Sequence, residues 1–262
     1  MWSEWLIEIL QNHSNVKNYA VSGATVDKTL WHSADKSFDM AMEIDRFLCQ
    51  KNQFDPSSSM VTLFFGNNDF IASNIESNQL SSLIPSSQKF LNQTKRLIDS
   101  GFTNFLILTP GFDNNKLKEF NNLIWNGLKD FKKQDSDFQF ITIHLSKLYR
   151  EIKTSPRRFG YHSTDSCLPR NLNMAEACTD PEYRLYWIFY HPQTLTHKLQ
   201  AEYIKRVAES CQPTNHQEEV HSKRDGVNKS TKSSNGLSST LGSDDSLDCN
   251  QVDLVYHPPK CI

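Results

Sequence analysis

The chain has 262 residues, enough for one α/β domain with a sizeable buried core and a small additional segment. Its 28 basic and 30 acidic residues nearly cancel and form no dense Lys/Arg stripe, which argues against a nucleic-acid or anionic-membrane surface. No run approaches the roughly 18 apolar residues of a membrane span, and the opening MWSEWLIEIL places Glu4 and Glu8 where a signal peptide would carry positive charge.

In chain order, Trp2, Trp5, Leu6, Ile9 and Leu10 fall at helical intervals and mark one face of an opening helix. Runs of β-branched and aromatic residues follow at 18–21, 60–65, 104–109 and 138–143. They alternate with stretches of helical apolar spacing over 34–50, 79–100, 114–133 and 194–210. That alternation predicts an α/β fold with a parallel sheet. From residue 212 the composition turns to Ser, Asn, Lys, Asp and Glu with almost no aromatic residue, too little apolar surface to offset ordering entropy. Residues 1–211 therefore read as the domain and 212–262 as a low-complexity, disordered tail.

Six cysteines, Cys49, Cys167, Cys178, Cys211, Cys249 and Cys261, contain no CxxC pair, which argues against a zinc framework and leaves disulfides open, Cys249 with Cys261 among them. Sequons begin at Asn12, Asn92 and Asn228 and gain meaning only with an export signal.

Three segments carry the chemistry. The run at 60–65 leads into Gly66-Asn67-Asn68-Asp69, a glycine turn and two carboxamides at the carboxyl end of a strand, where open α/β sheets place their ligand crevices. A carboxamide there donates N–H bonds to charge developing on a substrate oxygen. Earlier, Asn18-Tyr19-Ala20-Val21 leads into Ser22-Gly23-Ala24-Thr25, whose backbone N–H groups would face the same crevice. Near the far end Tyr186-Trp187-Ile188-Phe189-Tyr190 ends on His191-Pro192, read as a loop delivering a histidine to the entrance of a helix started by the proline. Taken singly, each has a blander reading: GNND as a turn, His191 as a loop histidine, His197 as a helix residue packed on the sheet.

Together, in this order and spacing, the three resemble the conserved blocks of GDSL-type hydrolases of the SGNH superfamily. NYAVSGATVD is similar to the second block, FFGNNDF to the third and the segment ending His191-Pro192 to the last. The resemblance covers residues 2–211 and implies a three-layer α/β/α fold with a flavodoxin-like parallel sheet of order 2-1-3-4-5. It further implies ester hydrolysis without a cofactor or metal, Gly23 and Asn68 as oxyanion donors, and His191 as general base. The substrate would be a small-molecule, lipid or carbohydrate ester. The stretches Tyr161 to Cys167 and Cys178 to Pro181 are similar to the loop of fungal and plant-like members, in which the two cysteines commonly pair; by that likeness Cys167 and Cys178 form a disulfide.

Two departures stand against activity. The family's first block, a strand leading into Gly-Asp-Ser-Leu, would precede the helix at Trp2, so the expectation is a chain truncated at its start, without the first strand and without the nucleophile. Such an upstream segment could also carry an export signal, which would make the product secreted rather than cytoplasmic. Gly242-Ser243-Asp244-Asp245-Ser246-Leu247 in the tail has an extra residue and no preceding apolar strand, so Ser246 reads as a compositional accident. The second departure is Ile188, which stands where an Asp-x-x-His pattern would put the acid. Losing that charge in a serine triad costs about four orders of magnitude in rate. Asp180 is the unproven substitute, and the apolar run around Ile188 suggests that packing has taken the position over. The sequence thus supports an ester hydrolase that is inactive as given, with a non-catalytic binding protein or a truncated gene product as alternatives. A metal hydrolase built from His191, His197 and Asp69 is set aside because its ligand spacing is wrong for such sites.

Overall fold

A computed structural model describes residues 1–10, 16–32, 38–50, 55–75 and 82–211. Three parallel strands, β1 (Met60–Phe64), β2 (Asn104–Thr109) and β3 (Gln139–His144), pair in the order β1-β2-β3. Helices α4 (Ile84–Asp99) and α5 (Asn115–Gln134) supply the crossovers. Strand β2 is central, and its alternation defines the layers. Phe105 and Ile107 enter a core with Trp31, Met40, Phe70, Phe90, Phe120 and Phe138, whereas Leu106 and Leu108 enter a second core with Ile143, Leu148, Tyr161, Leu185, Tyr203 and Ile204. The first core lies under α2 (Met40–Cys49), α4 and α5; the second lies under α6 (Leu145–Thr154) and α7 (Thr194–Ser210). The outcome is the expected mixed α/β architecture with helices on both faces of a parallel sheet.

Helix α1 (Trp2–Ile9) lies against α7, with Trp2 and Leu6 on the second core and the Trp2 ring edge-on to Phe64 at 6.1 Å. Strand β1 reads as an edge, with Met60 at 62% exposure while five of the six β2 residues are buried. Among the described residues it has β2 on one side and no ladder partner on the other. The strand predicted at 18–21 is not formed. Its backbone groups go elsewhere: the Val21 N–H donates to the Glu43 carboxylate at 2.9 Å and the Ala20 N–H to the Asn18 side chain at 3.0 Å. A single bridge, Thr25 to Asp39, is the only sheet pairing between residues 16 and 32. Of the predicted order, the described residues form three consecutive parallel strands, β1-β2-β3.

A second small sheet was not anticipated. Strand β4 (Ser163–Ser166) pairs parallel with β5 (Arg184–Ile188), which pairs antiparallel with β6 (His191–Pro192). The segment read as a loop before a proline-started helix is thus a hairpin. Pro192 pairs with Tyr186, and α7 begins at Thr194. Of the sequons, only Asn92 lies among the described residues; it sits within α4, where its partner Thr94 is buried and bonded to the Phe90 carbonyl. Asn12, Asn228, Cys249, Cys261, Ser246 and the whole segment 212–262 lie outside the described residues.

Candidate active site

At the carboxyl end of β1 the chain turns at Gly66 and enters α3 (Asn67–Ile75). Gly66 has φ of +102°, and a Cβ there would stand 2.8 Å from the buried Phe120 ring, so both conformation and space require glycine. What the sequence presented as a turn is the start of a helix, whose first residues Asn67, Asn68 and Asp69 come off the strand end. Half-buried Asn68 donates through Nδ2 to the Ala24 carbonyl at 2.8 Å. A carboxamide nitrogen carries two N–H groups, so this bond fixes the amide plane and leaves the other N–H unengaged among the described residues. Gly23, beside Ala24, has φ of +83°. Its turn is closed by the Ala24 N–H donating to the Val21 carbonyl at 3.3 Å. The structure therefore joins the second and third sequence blocks at one place.

Asp69 holds that junction. It is fully buried and accepts from the Trp31 indole N–H at 2.9 Å, the Ser86 hydroxyl at 2.8 Å and the Val26 N–H at 3.0 Å. Burial raises its proton affinity above the usual carboxylate range, against the lowering pull of these donors. Glu43, on α2, lies behind the same loop; burial pushes its carboxyl up to about 7, opposed by the Val21 N–H and assisted by the Asp39 charge. Neither role is visible in the sequence, where each acid looks like part of a solvated turn or helix face.

The histidine side is built differently. Ile188 pairs with His191, so Phe189 and Tyr190 form a two-residue turn at the hairpin tip, with Tyr190 at φ of +67°. His191 is exposed, and its Nδ1 lies 3.0 Å from the Phe189 carbonyl oxygen. The tip contacts the other half through Phe112, in the loop after β2: the Phe112 ring lies 4.6 Å from Tyr190 and 5.3 Å from Phe70 of α3. Phe112 is thus a bridging residue that sequence reasoning missed. The run around Ile188 is not a packed core either. Leu185 and Tyr186 are buried, Trp187 and Ile188 are half-buried, and Phe189 and Tyr190 are exposed. Arg170 stacks its guanidinium on Phe189 at 4.4 Å.

Asp180 does not reach His191. Its Oδ1 accepts from Arg184 Nε at 2.9 Å and its Oδ2 lies 3.2 Å from His162 Nδ1, at the start of β5, whereas His191 faces the end of that strand. The Arg184 bond, with help from His162, holds its carboxyl below the usual range. Cys167 and Cys178 are joined by a disulfide, and the loop they close carries Arg170 to Phe189. His197 belongs to α7, with Nδ1 3.1 Å from Gln200 Oε1, and burial lowers its proton affinity. Among the described residues no group of three His, Cys, Asp or Glu could hold a metal. A cleft of about 200 Å³ is lined by Gly111, Asp113 and α6 residues including Tyr149 and Arg150, and by none of the predicted site residues. No helix among the described residues is long and apolar enough to cross a membrane.

A parallel α/β sheet thus carries helices on both faces, with the Gly23 and Asn68 segments joined at the carboxyl end of β1 and the His191 hairpin linked to α3 through Phe112. The model of the GDSL-like lipase/acylhydrolase family matches residues 2–218, and the chain belongs to that family. The fold is the α/β/α arrangement of SGNH hydrolases, and the family activity is ester hydrolysis. A search of curated proteins finds no match.

Proposed function

We propose that this chain carries the oxyanion-binding and base halves of an ester hydrolase site for acyl or acetyl esters of lipids or carbohydrates, with no activated nucleophile among the described residues. The Gly23 amide and the unengaged Asn68 N–H donate to the ester carbonyl oxygen as it gains charge on becoming tetrahedral. His191 takes the proton of the attacking hydroxyl and returns it to the departing alkoxide. The reading rests above all on the Asn68 to Ala24 hydrogen bond, which makes one surface of two distant segments. Among the described residues no serine hydroxyl is hydrogen-bonded to His191, whose partner is the Phe189 carbonyl. Ile188 favours a second reading, a non-catalytic binding protein on the same scaffold.

A fluorophosphonate probe separates these claims. The chain as given should show no labelled serine and hydrolyse p-nitrophenyl acetate at the buffer rate; a labelled serine would contradict the proposal. A longer in-frame product bearing Gly-Asp-Ser-Leu should be weakly active, faster with Ile188→Asp and silent with His191→Ala. Equal rates for all three would sink the base assignment.

A further inference from the structure

We infer that the backbone carbonyl of Phe189 is the group that orients His191, with no carboxylate bonded to it among the described residues, and that it fixes the imidazole in the form protonated on Nδ1. The inference deepens the base assignment made above and rests on it. A carbonyl oxygen only accepts, so at 3.0 Å from Nδ1 the ring nitrogen must carry the proton. Nε2 is then left with the lone pair that a general base needs, as in a triad where an acid holds Nδ1–H. Among the described residues no acid is bonded at the position: Ile188 occupies the family's acid site, and Asp180 is committed to Arg184 and His162.

The turn explains how a neighbouring carbonyl comes to face its own chain's histidine. In the two-residue tip between paired Ile188 and His191, the second residue takes left-handed backbone as in a type II turn, and Tyr190 does so at φ of +67° without being glycine. An aromatic residue in that region is strained by about 1 kcal/mol, and ring contacts with Phe112 and Phe189, at 4.6 and 3.7 Å, hold it there. The exposed aromatics at the tip therefore have a geometric task, keeping the Phe189 carbonyl under the imidazole. A neutral carbonyl performs only half of the missing acid's work. It selects the tautomer and ring orientation but brings no charge to set against an imidazolium, so Ile188→Asp is expected to speed a nucleophile-bearing product.

Nitrogen NMR of the chain labelled with 15N-histidine tests the inference without substrate or nucleophile, so its result is independent of whether the ester-hydrolase reading holds. At a pH where the ring is neutral, and with the His191 signal assigned by its loss in His191→Gln, the ratio of the Nδ1–H to the Nε2–H form should stand about tenfold above that of a free histidine side chain, the factor a single net hydrogen bond provides. This reverses the preference of a free histidine side chain in water. Tyr190→Gly, which keeps access to left-handed backbone, should retain the excess. Tyr190→Val, whose β-branch disfavours positive φ, should lose most of it while the other histidine signals stay in place. A dominant Nε2–H form in the parent chain would overturn the inference, as would an unchanged excess in Tyr190→Val.

Discussion

The two halves of the site are held by opposite means. Around Asn68, long-range bonds from buried groups fix every part: Asp69 gathers Trp31, Ser86 and Val26, Asn68 reaches Ala24, and Glu43 holds Val21. Around His191, the one polar bond is local, to a carbonyl two residues away, and the long-range support is an aromatic contact through Phe112. An oxyanion site works by donors that do not move as charge develops, which suits a buried and over-determined frame. A base must meet a nucleophile and pass a proton, which suits a solvent-facing turn. Substitution should therefore unfold the first half and merely reposition the second.

Asp69→Ala offers the strongest break in that contrast. It strands a backbone N–H, an indole N–H and a hydroxyl in a dry core and leaves a void, each an independent penalty. The expected loss is on the order of 4 kcal/mol, measured by urea unfolding, and a variant within 1 kcal/mol of the parent, roughly one lost exposed hydrogen bond, would show that Asp69 does not hold the junction.

Glu43 sharpens the contrast through pH. Its carboxyl is raised from 4.5 to about 7 in the folded chain, so between those values the folded state binds more protons than the unfolded one. Its contribution is therefore most favourable below about 4.5 and is lost as pH climbs through about 7. Glu43→Gln keeps an acceptor for the Val21 N–H and removes the buried charge. The variant should gain about 2 kcal/mol over the parent at pH 8, and the gain should shrink towards zero at pH 4.5. A loss of stability at pH 8 would mean that the charge itself, through Val21, holds the loop.

Legibility in the sequence followed the same divide. The strands at 60–65, 104–109 and 138–143 are readable as runs of β-branched and aromatic residues, most continuous in β2, the one of the three buried on both faces. The run at 18–21 looked the same but lacks a ladder partner among the described residues, and a strand without one is only extended chain. Strands β4 and β6 escaped notice because Ser163-Thr164-Asp165-Ser166 and His191-Pro192 are too short and polar to carry a period. Helix α3 escaped because Asn67-Asn68-Asp69 suits a turn as well as a first helical turn. Gly23, Asn68 and His191 can be singled out since motif order identifies positions, but Trp31 and Ser86, which hold the neighbouring Asp69, and Phe112, which backs the hairpin tip, come from elsewhere in the chain and leave no local mark.

The smallest expected effect tests the other side of the contrast. His191 is exposed and its single bond is to its own turn, so His191→Ala removes little that folding requires. Its stability should stay within about 0.5 kcal/mol of the parent, the usual range for surface positions without special structure. This near-silence is what makes the residue useful, because any loss of ester hydrolysis in a nucleophile-bearing product can then be assigned to chemistry rather than to folding. A melting point lowered by several degrees would reverse that assignment, placing His191 in the frame with Asp69 and making the hairpin tip a structural clasp instead of a working face.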